Sequence, residues 1–400
     1  MKPHPVVQAG LAALVAAGYV APASAQLNLY EGITAGVAYT ADFANIVAGG
    51  AERGSSYLDN VDLTASLELE TLLRWKGATA FFYVLGNNGS SPSELAGDLQ
   101  TLSNLDAPDT WKLYEGWIEQ ELASGRLSLK AGLYDLNSEF DVIETGSVFM
   151  NSSHGIGPDF SQTGENGPSI FPTTSLAMRV RASLGEFVQF SVAALDAVPG
   201  AVDDPGGTHV SWTREEGLLI TSEFAFYTMP DGEEGGGKIA LGGYFYTSKT
   251  DHLQAAPAAG ATPTSRNHGM YVLGERPLYR TGEGGGLSGF FRAGVADTDL
   301  NQIGTYLGAG LVYTGPFRSG EPDQLGLAVG HARNGSVFID SESSQGRSND
   351  KAETAIELAY SAPLTDWLTV QPDVQYIINP GTDPNLDNAL VLSVRTTIAF

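Results

Sequence analysis

"LVLSVRTTIAF", Leu390 to Phe400, ends the chain. Leu390, Leu392, Val394, Ile398 and Phe400 fall on one side at a period of two, with Thr396 among them. Ser393, Arg395 and Thr397 take the other side. This alternation reads as a β-strand with one apolar face. No turn, cap or polar tail follows Phe400, so the strand is expected to pair with the first one and close the sheet. A closed sheet leaves no bare edge, which lipid requires of any sheet that crosses it.

Similar amphipathic runs of about nine to eleven residues recur along the chain, the length a tilted strand needs to cross a bilayer. About sixteen can be read, beginning near 31–41 and ending at 389–400, and closed bacterial barrels have even strand numbers. Connector lengths alternate. "ASG" (Ala123 to Gly125), "LGE" (Leu184 to Glu186) and "PLTD" (Pro363 to Asp366) are tight, whereas 42–57, 88–111, 136–174, 197–216, 248–267, 333–351 and 378–388 are expected to be long. The connector near 298–303 is the exception, being short where the alternation calls for length. Short periplasmic turns and long extracellular loops are the pattern of an outer-membrane barrel. A soluble sandwich of antiparallel strands does not require that alternation.

Composition agrees with strands. Sixteen Tyr, seventeen Phe and five Trp favour sheet over helix. With no cysteine, no disulfide framework is available. The formal charge of −25 argues against nucleic acid as a partner, because binding it needs a basic face. An acidic exterior is compatible with lipopolysaccharide bridged by divalent cations. The N-terminus, "MKPHPVVQAGLAALVAAGYVAPASAQ", has Lys2, an apolar stretch from Val6 to Val20 and the small-residue site Ala23-Ser24-Ala25. It reads as a secretory signal peptide over residues 1–25, leaving 26–400 as a single barrel domain exported to the outer membrane of a Gram-negative type cell.

Two stretches carry a family resemblance. "GLYDLNSEFDVIETGSVFMNSSHGIGPDFSQTGENGPSIFPTTSLAMRVR" (Gly132 to Arg181) and "WLTVQPDVQYIINPGTDPNLDNALVLSVRTTIAF" (Trp367 to Phe400) resemble the carbohydrate-selective porins of the OprB type. The resemblance implies a sixteen-stranded channel for sugar diffusion, narrowed by inward-folded loops and using no cofactor. Assembly machinery that reads a terminal aromatic strand would account for Phe400. Association of three chains is left open.

The lumen can be read from charge. In "SLAMRVRASL", Leu176, Met178, Val180, Ala182 and Leu184 alternate with Arg179 and Arg181. An Arg facing mid-bilayer lipid costs about 2–4 kcal/mol, so both are expected to point inward. They either offer guanidinium donors to sugar hydroxyls or only neutralise lumenal carboxylates. In "LYEGWIEQEL", Glu115, Trp117, Glu119 and Glu121 share the inward face; Trp117 there is either a plane for a pyranose or a packing residue under a loop. The same logic turns Asp62, Glu68, Glu70, Lys130, Tyr134 and Arg395 inward. Acids and bases are thus expected on opposed parts of the pore, a mixed lining suited to neutral polyols. The long connector 136–174, with "GIGPDF" and "NGPSIFPTT", reads as a constriction loop whose Gly and Pro define its turns. Its polar candidates are Glu139, Asp141, Glu144, Asp159, Glu165 and Asn166.

Other readings are weaker. Asp135, Asn137, Glu139 and Asp141 are spaced like the start of a calcium loop, but Phe140 stands where such a loop needs Gly and Gly146 where it needs its final Glu, so no metal is assigned. The five histidines beyond the leader form no Ser/His/Asp constellation and are expected to be solvated loop residues, which leaves an outer-membrane hydrolase the lesser alternative. A general or weakly ion-selective porin is the other. Tyr83, Phe187, Tyr271, Tyr313 and Tyr360 are expected in interfacial girdles.

Overall fold

The computed structural model describes residues 26–201, 204, 206–213, 215–230, 236–254, 262–281, 285–317 and 322–400. The proposed leader, 1–25, lies outside them. Sixteen antiparallel strands are formed by the amphipathic runs. They are β1 (Ile33–Ala48), β2 (Gly54–Glu68), β3 (Ala78–Gly89), β4 (Thr110–Leu122), β5 (Leu127–Tyr134), β6 (Ser175–Ser183), β7 (Val188–Asp196) and β8 (Leu218–Tyr227), followed by β9 (Lys238–Tyr246), β10 (His268–Arg280), β11 (Gly286–Ala296), β12 (Ile303–Thr314), β13 (Gln324–Asn334), β14 (Ala352–Thr365), β15 (Leu368–Ile378) and β16 (Ala389–Ala399). Each pairs with its sequence neighbours, and β16 returns to β1 with Arg395 opposite Asp42 and Ala399 opposite Ala38. The barrel is therefore closed. No helix among the described residues is long and apolar enough to cross a membrane.

The seam shows how the C-terminal strand is completed. Phe400 N–H donates to Val37 O at 2.8 Å, and Val37 N–H donates to Phe400 O at 3.1 Å. Beyond that point a short segment, Gln26–Tyr30, takes over the same edge of β1, with Gln26 opposite Gly36. The Phe400 ring stacks on Trp367 with centroids 6.2 Å apart.

Period-two alternation sorts the two faces. On β16, Leu392 and Val394 are exposed on the outside while Ser393, Arg395 and Thr397 are buried within. On β6, Met178 and Val180 lie outside and Arg179 inside. β4 needs one irregularity to keep this sorting: its register against β3 shifts between Tyr83 and Val84. Lys112 and Tyr114 before the shift, and Glu115 and Trp117 after it, are all buried as a result. A bulge of this kind re-aims side chains along a strand.

Two of the girdle expectations fail. Tyr83 and Tyr271 are buried inside, where Tyr83 donates to Asp62 and Tyr271 to Glu223 at 2.6 Å. Their parity within the strand, set by the lumenal acids they serve, outweighs the interfacial preference of the ring. Phe187 is exposed, at a tight turn, as an outer-girdle residue would be.

Candidate functional site: a lumen crossed by the β5–β6 connector

Consecutive hairpins bring three charged strands side by side. Glu119 on β4 stands opposite Lys130 on β5, which stands opposite Arg179 on β6. The acids and bases of these strands thus form one cluster on one wall, not two opposed linings; antiparallel neighbours in sequence are neighbours in space. Lys130 and Arg179 directly opposite each other would repel. The wall itself supplies Glu119, which meets Arg179 at 2.9 Å and Arg181 at 3.1 Å. The second carboxylate comes from the connector: Glu139 lies 2.6 Å from Lys130 Nζ and 2.6 Å from Arg179 Nε. Burial alone would raise the Glu139 carboxyl, but Lys130, Arg179 and Arg181 together hold it well below the usual carboxylate range.

Saturation differs between the two arginines. Arg179 is 1% exposed and also donates to Ser128 Oγ at 2.5 Å. The Arg181 side chain is 27% exposed and keeps a face to the lumen. Above Lys130 lies Trp117, with Nζ 4.0 Å from the ring centroid, and Trp117 Nε1 donates to Glu115 at 3.0 Å. Trp117 packs on Phe81 with centroids 5.0 Å apart. Gly132, at φ +143°, stands opposite Trp117, and a Cβ there would strike the β4 backbone.

From this wall the connector runs across the barrel and is held at each stage by strand side chains. Glu223 on β8 accepts from Asp141 N–H at 2.9 Å, and Glu275 on β10 accepts from Thr145 N–H at 2.7 Å. Glu357 on β14 accepts from Met150 and Asn151 N–H groups, and Gln371 on β15 donates to Val148 O at 2.8 Å. The strongest clamp is Arg292 on β11, 1% exposed. It meets Asp141 at 2.6 Å and Asp159 at 2.5 Å. Gly157 lies against that guanidinium, where any Cβ would collide with it. Asp141 itself adopts φ 58°, a left-handed conformation uncommon outside Gly, and is held there by Arg292 and Glu223. The Gly and Pro of "GIGPDF" thus form the turn that fits beneath Arg292.

Other expected residues fall elsewhere. Glu68 has inward parity but is the last residue of β2, exposed at the turn, where Thr71 Oγ1 donates to it at 3.3 Å. Glu70 is in the short helix of that turn, and Glu121 is exposed at the end of β4. Glu68 and Glu121 stand at the strand ends and Glu70 just past one, where the barrel wall no longer encloses an inward-pointing side chain. Asn166 is exposed and reaches Pro199 O at 3.2 Å, joining two loops outside the narrow region. The acids spaced like a calcium loop diverge: Asp135 accepts from Tyr114 at 2.6 Å, Glu139 turns to Arg179 and Asp141 to Arg292. His154 is not solvated; it is buried against Phe149, with centroids 5.0 Å apart.

Two features were not read from the sequence. Arg292, in "GFFRAGVA", had the signal that exposed Arg179, a cation flanked by apolar residues in a strand. The connector 90–109 also folds inward. Arg395 pairs with Asp42 at 2.8 Å and reaches Asn104 Oδ1 at 2.8 Å, Leu99 N–H donates to Glu353 at 2.8 Å, and Asn104 N–H donates to Met150 O at 2.7 Å. Between the two connectors is a cavity of about 270 Å³ whose lining includes Asn104, Asp106, Asn137, Ser152, Gln162, Phe149 and Phe171.

Comparison with known proteins places this geometry. The chain is 27% identical over 386 residues to Porin B of Pseudomonas aeruginosa, covering 87% of this chain and 83% of that protein. The high-pH structure of Pseudomonas putida OprB superposes with a TM-score of 0.81 at 23% identity, over 92% of this chain and 94% of the other. The outer membrane channel DcaP of Acinetobacter baumannii shares the fold with a TM-score of 0.57 at 9% identity, over 94% of this chain and 100% of that one. Residues 52–400 match the profile of the carbohydrate-selective porin, OprB family, and the chain belongs to that family of outer-membrane channels.

Proposed function

We propose that the channel passes small neutral sugars, glucose-like monosaccharides or short oligosaccharides, by passive diffusion into the periplasm. The observation carrying this reading is the compensation of the buried lumenal cations: Lys130, Arg179 and Arg292 meet carboxylates of the crossing connector, and Arg395 meets Asp42 of β1. A ring of one sign would select ions; a compensated lining leaves mainly hydrogen-bond donors and acceptors for the solute. On this reading Arg179, Lys130 and Glu139 fix the connector, while Arg181 and the polar side chains of the 270 Å³ cavity meet the sugar. Trp117 and Glu115 support the wall beside Lys130. Weak, multiple contacts suit transport, because a tightly bound solute would not leave.

Liposome swelling with a sugar series tests the proposal. Sugars are expected to enter faster than size-matched amino acids, and Arg181→Ala is expected to slow sugar entry with the barrel intact. Equal rates for sugars and amino acids would remove the carbohydrate claim. No catalytic step and no cofactor enter this reading. Residues 1–25 are proposed as the export signal, the terminal strand ending in Phe400 as the element read by barrel-assembly machinery, and lipopolysaccharide as the outer-leaflet partner of the acidic exterior. Whether three chains associate is a matter for mass measurement in detergent.

A further inference from the structure

We propose that Asp196, His209 and Glu216 form a binding site for one first-row transition-metal dication, for which Zn²⁺ is the probe. Asp196 lies at the end of β7, and His209 and Glu216 lie in the connector from β7 to β8, His209 midway along it and Glu216 just before β8. One ligand atom from each lies within 4.8 Å of the other two. Donors around a tetrahedral zinc stand about 3.3 Å apart, given metal–ligand distances near 2.0–2.1 Å, so a small closure completes the triangle.

The second observation is what these side chains lack. Asp196 is 1% exposed, and among the described residues its Oδ2 has no hydrogen-bond partner. Among the described residues, His209 Nε2 and Glu216 Oε2 are likewise out of solvent and unpartnered. A buried polar atom without a partner is costly, and three converging on one point need a shared one. Asp196 Oδ1 is already engaged by Val198 N–H at 3.2 Å, which orients the free oxygen as an outer-shell bond does in metal sites. One imidazole and two carboxylates suit zinc and its neighbours better than magnesium, which prefers an all-oxygen octahedron.

The ion would tie the middle of the connector to both of its feet. Next to His209, Thr208 Oγ1 donates to Leu113 O at 3.0 Å, and Gly206 O accepts from Thr110 Oγ1. The site therefore fixes the stretch that lies on the outer end of β4. Calorimetric titration of Zn²⁺ into the full-length, chelator-treated protein in detergent tests the assignment. One Zn²⁺ per chain is expected, with affinity at least about tenfold weaker in His209→Ala and in the near-isosteric Asp196→Asn. Heat-modifiable gel mobility verifies that each variant is a folded barrel. The assignment is overturned if the wild type takes up no Zn²⁺, if both variants bind as tightly as the wild type, or if Mg²⁺ binds equally well.

Discussion

Glu139 is where local charge decides the path of the chain. It satisfies Lys130 and Arg179, which the β5–β6 register would otherwise leave facing each other. Removing one member of a buried ion pair strands the other in low dielectric. Glu139→Gln is expected to destabilise the barrel by about 3 kcal/mol, the low end for such a change, because Arg179 keeps Glu119. Urea unfolding in lipid vesicles, followed by tryptophan fluorescence, measures it. The pH dependence has a definite sign. The folded Glu139 carboxyl is depressed below its ordinary value of 4.5, so its stabilisation is complete above that value and is lost only as pH falls through the lower, folded one. The stability difference between wild type and Glu139→Gln is therefore expected to be constant between about pH 7 and 5 and to shrink only at lower pH; a difference that shrinks within that window would contradict the assignment. The inward aim of Arg179 was legible in the sequence because lipid forbids the alternative. Its partner was not, since Glu139 reaches it only when a connector folds back.

At the scale of elements, the crossing connector behaves as a strut fastened by strand side chains. Arg292 is its principal fastening, holding Asp141 and Asp159 together. Arg292→Ala is expected to free the connector between these points and raise single-channel conductance several-fold, while sugar entry loses its preference over amino acids. Planar-bilayer recording and liposome swelling read the two effects. Unchanged conductance would show that Glu223, Glu275 and Glu357 hold the connector without Arg292. The sequence marked this connector by its length and its Gly and Pro content. The inward fold of 90–109 had no comparable mark, because its fastenings, Glu353, Asp42 and Arg395, lie near the two ends of the chain.

At the scale of the molecule, closure rests on the seam between β16 and β1. Deleting Phe400 removes two backbone hydrogen bonds and the Trp367 stack. The deletion is expected to lower the yield of heat-modifiable barrel during refolding into lipid vesicles, with no assembly machinery present. An unaffected yield there, together with a defect in cells, would assign Phe400 to recognition alone.

The sequence by itself determined the strand number, most of the faces and most of the alternation of turns and loops; the long connector expected at 42–57 is instead the short turn 49–53, because β1 and β2 both run on into that stretch. The features it determined follow from local rules: a period of two, the cost of charge in lipid, and the length of a bilayer-crossing strand. Tertiary structure alone decided that the acids and bases of β4, β5 and β6 gather on one wall, that Arg292 holds the crossing connector, that Glu68 and Asn166 stand outside the narrow region, and that Tyr83 and Tyr271 serve lumenal acids. Those outcomes depend on the bulge in β4, on where strands end, and on which distant carboxylate meets which buried cation. None of these is set by a period along one strand, so no local pattern encodes it.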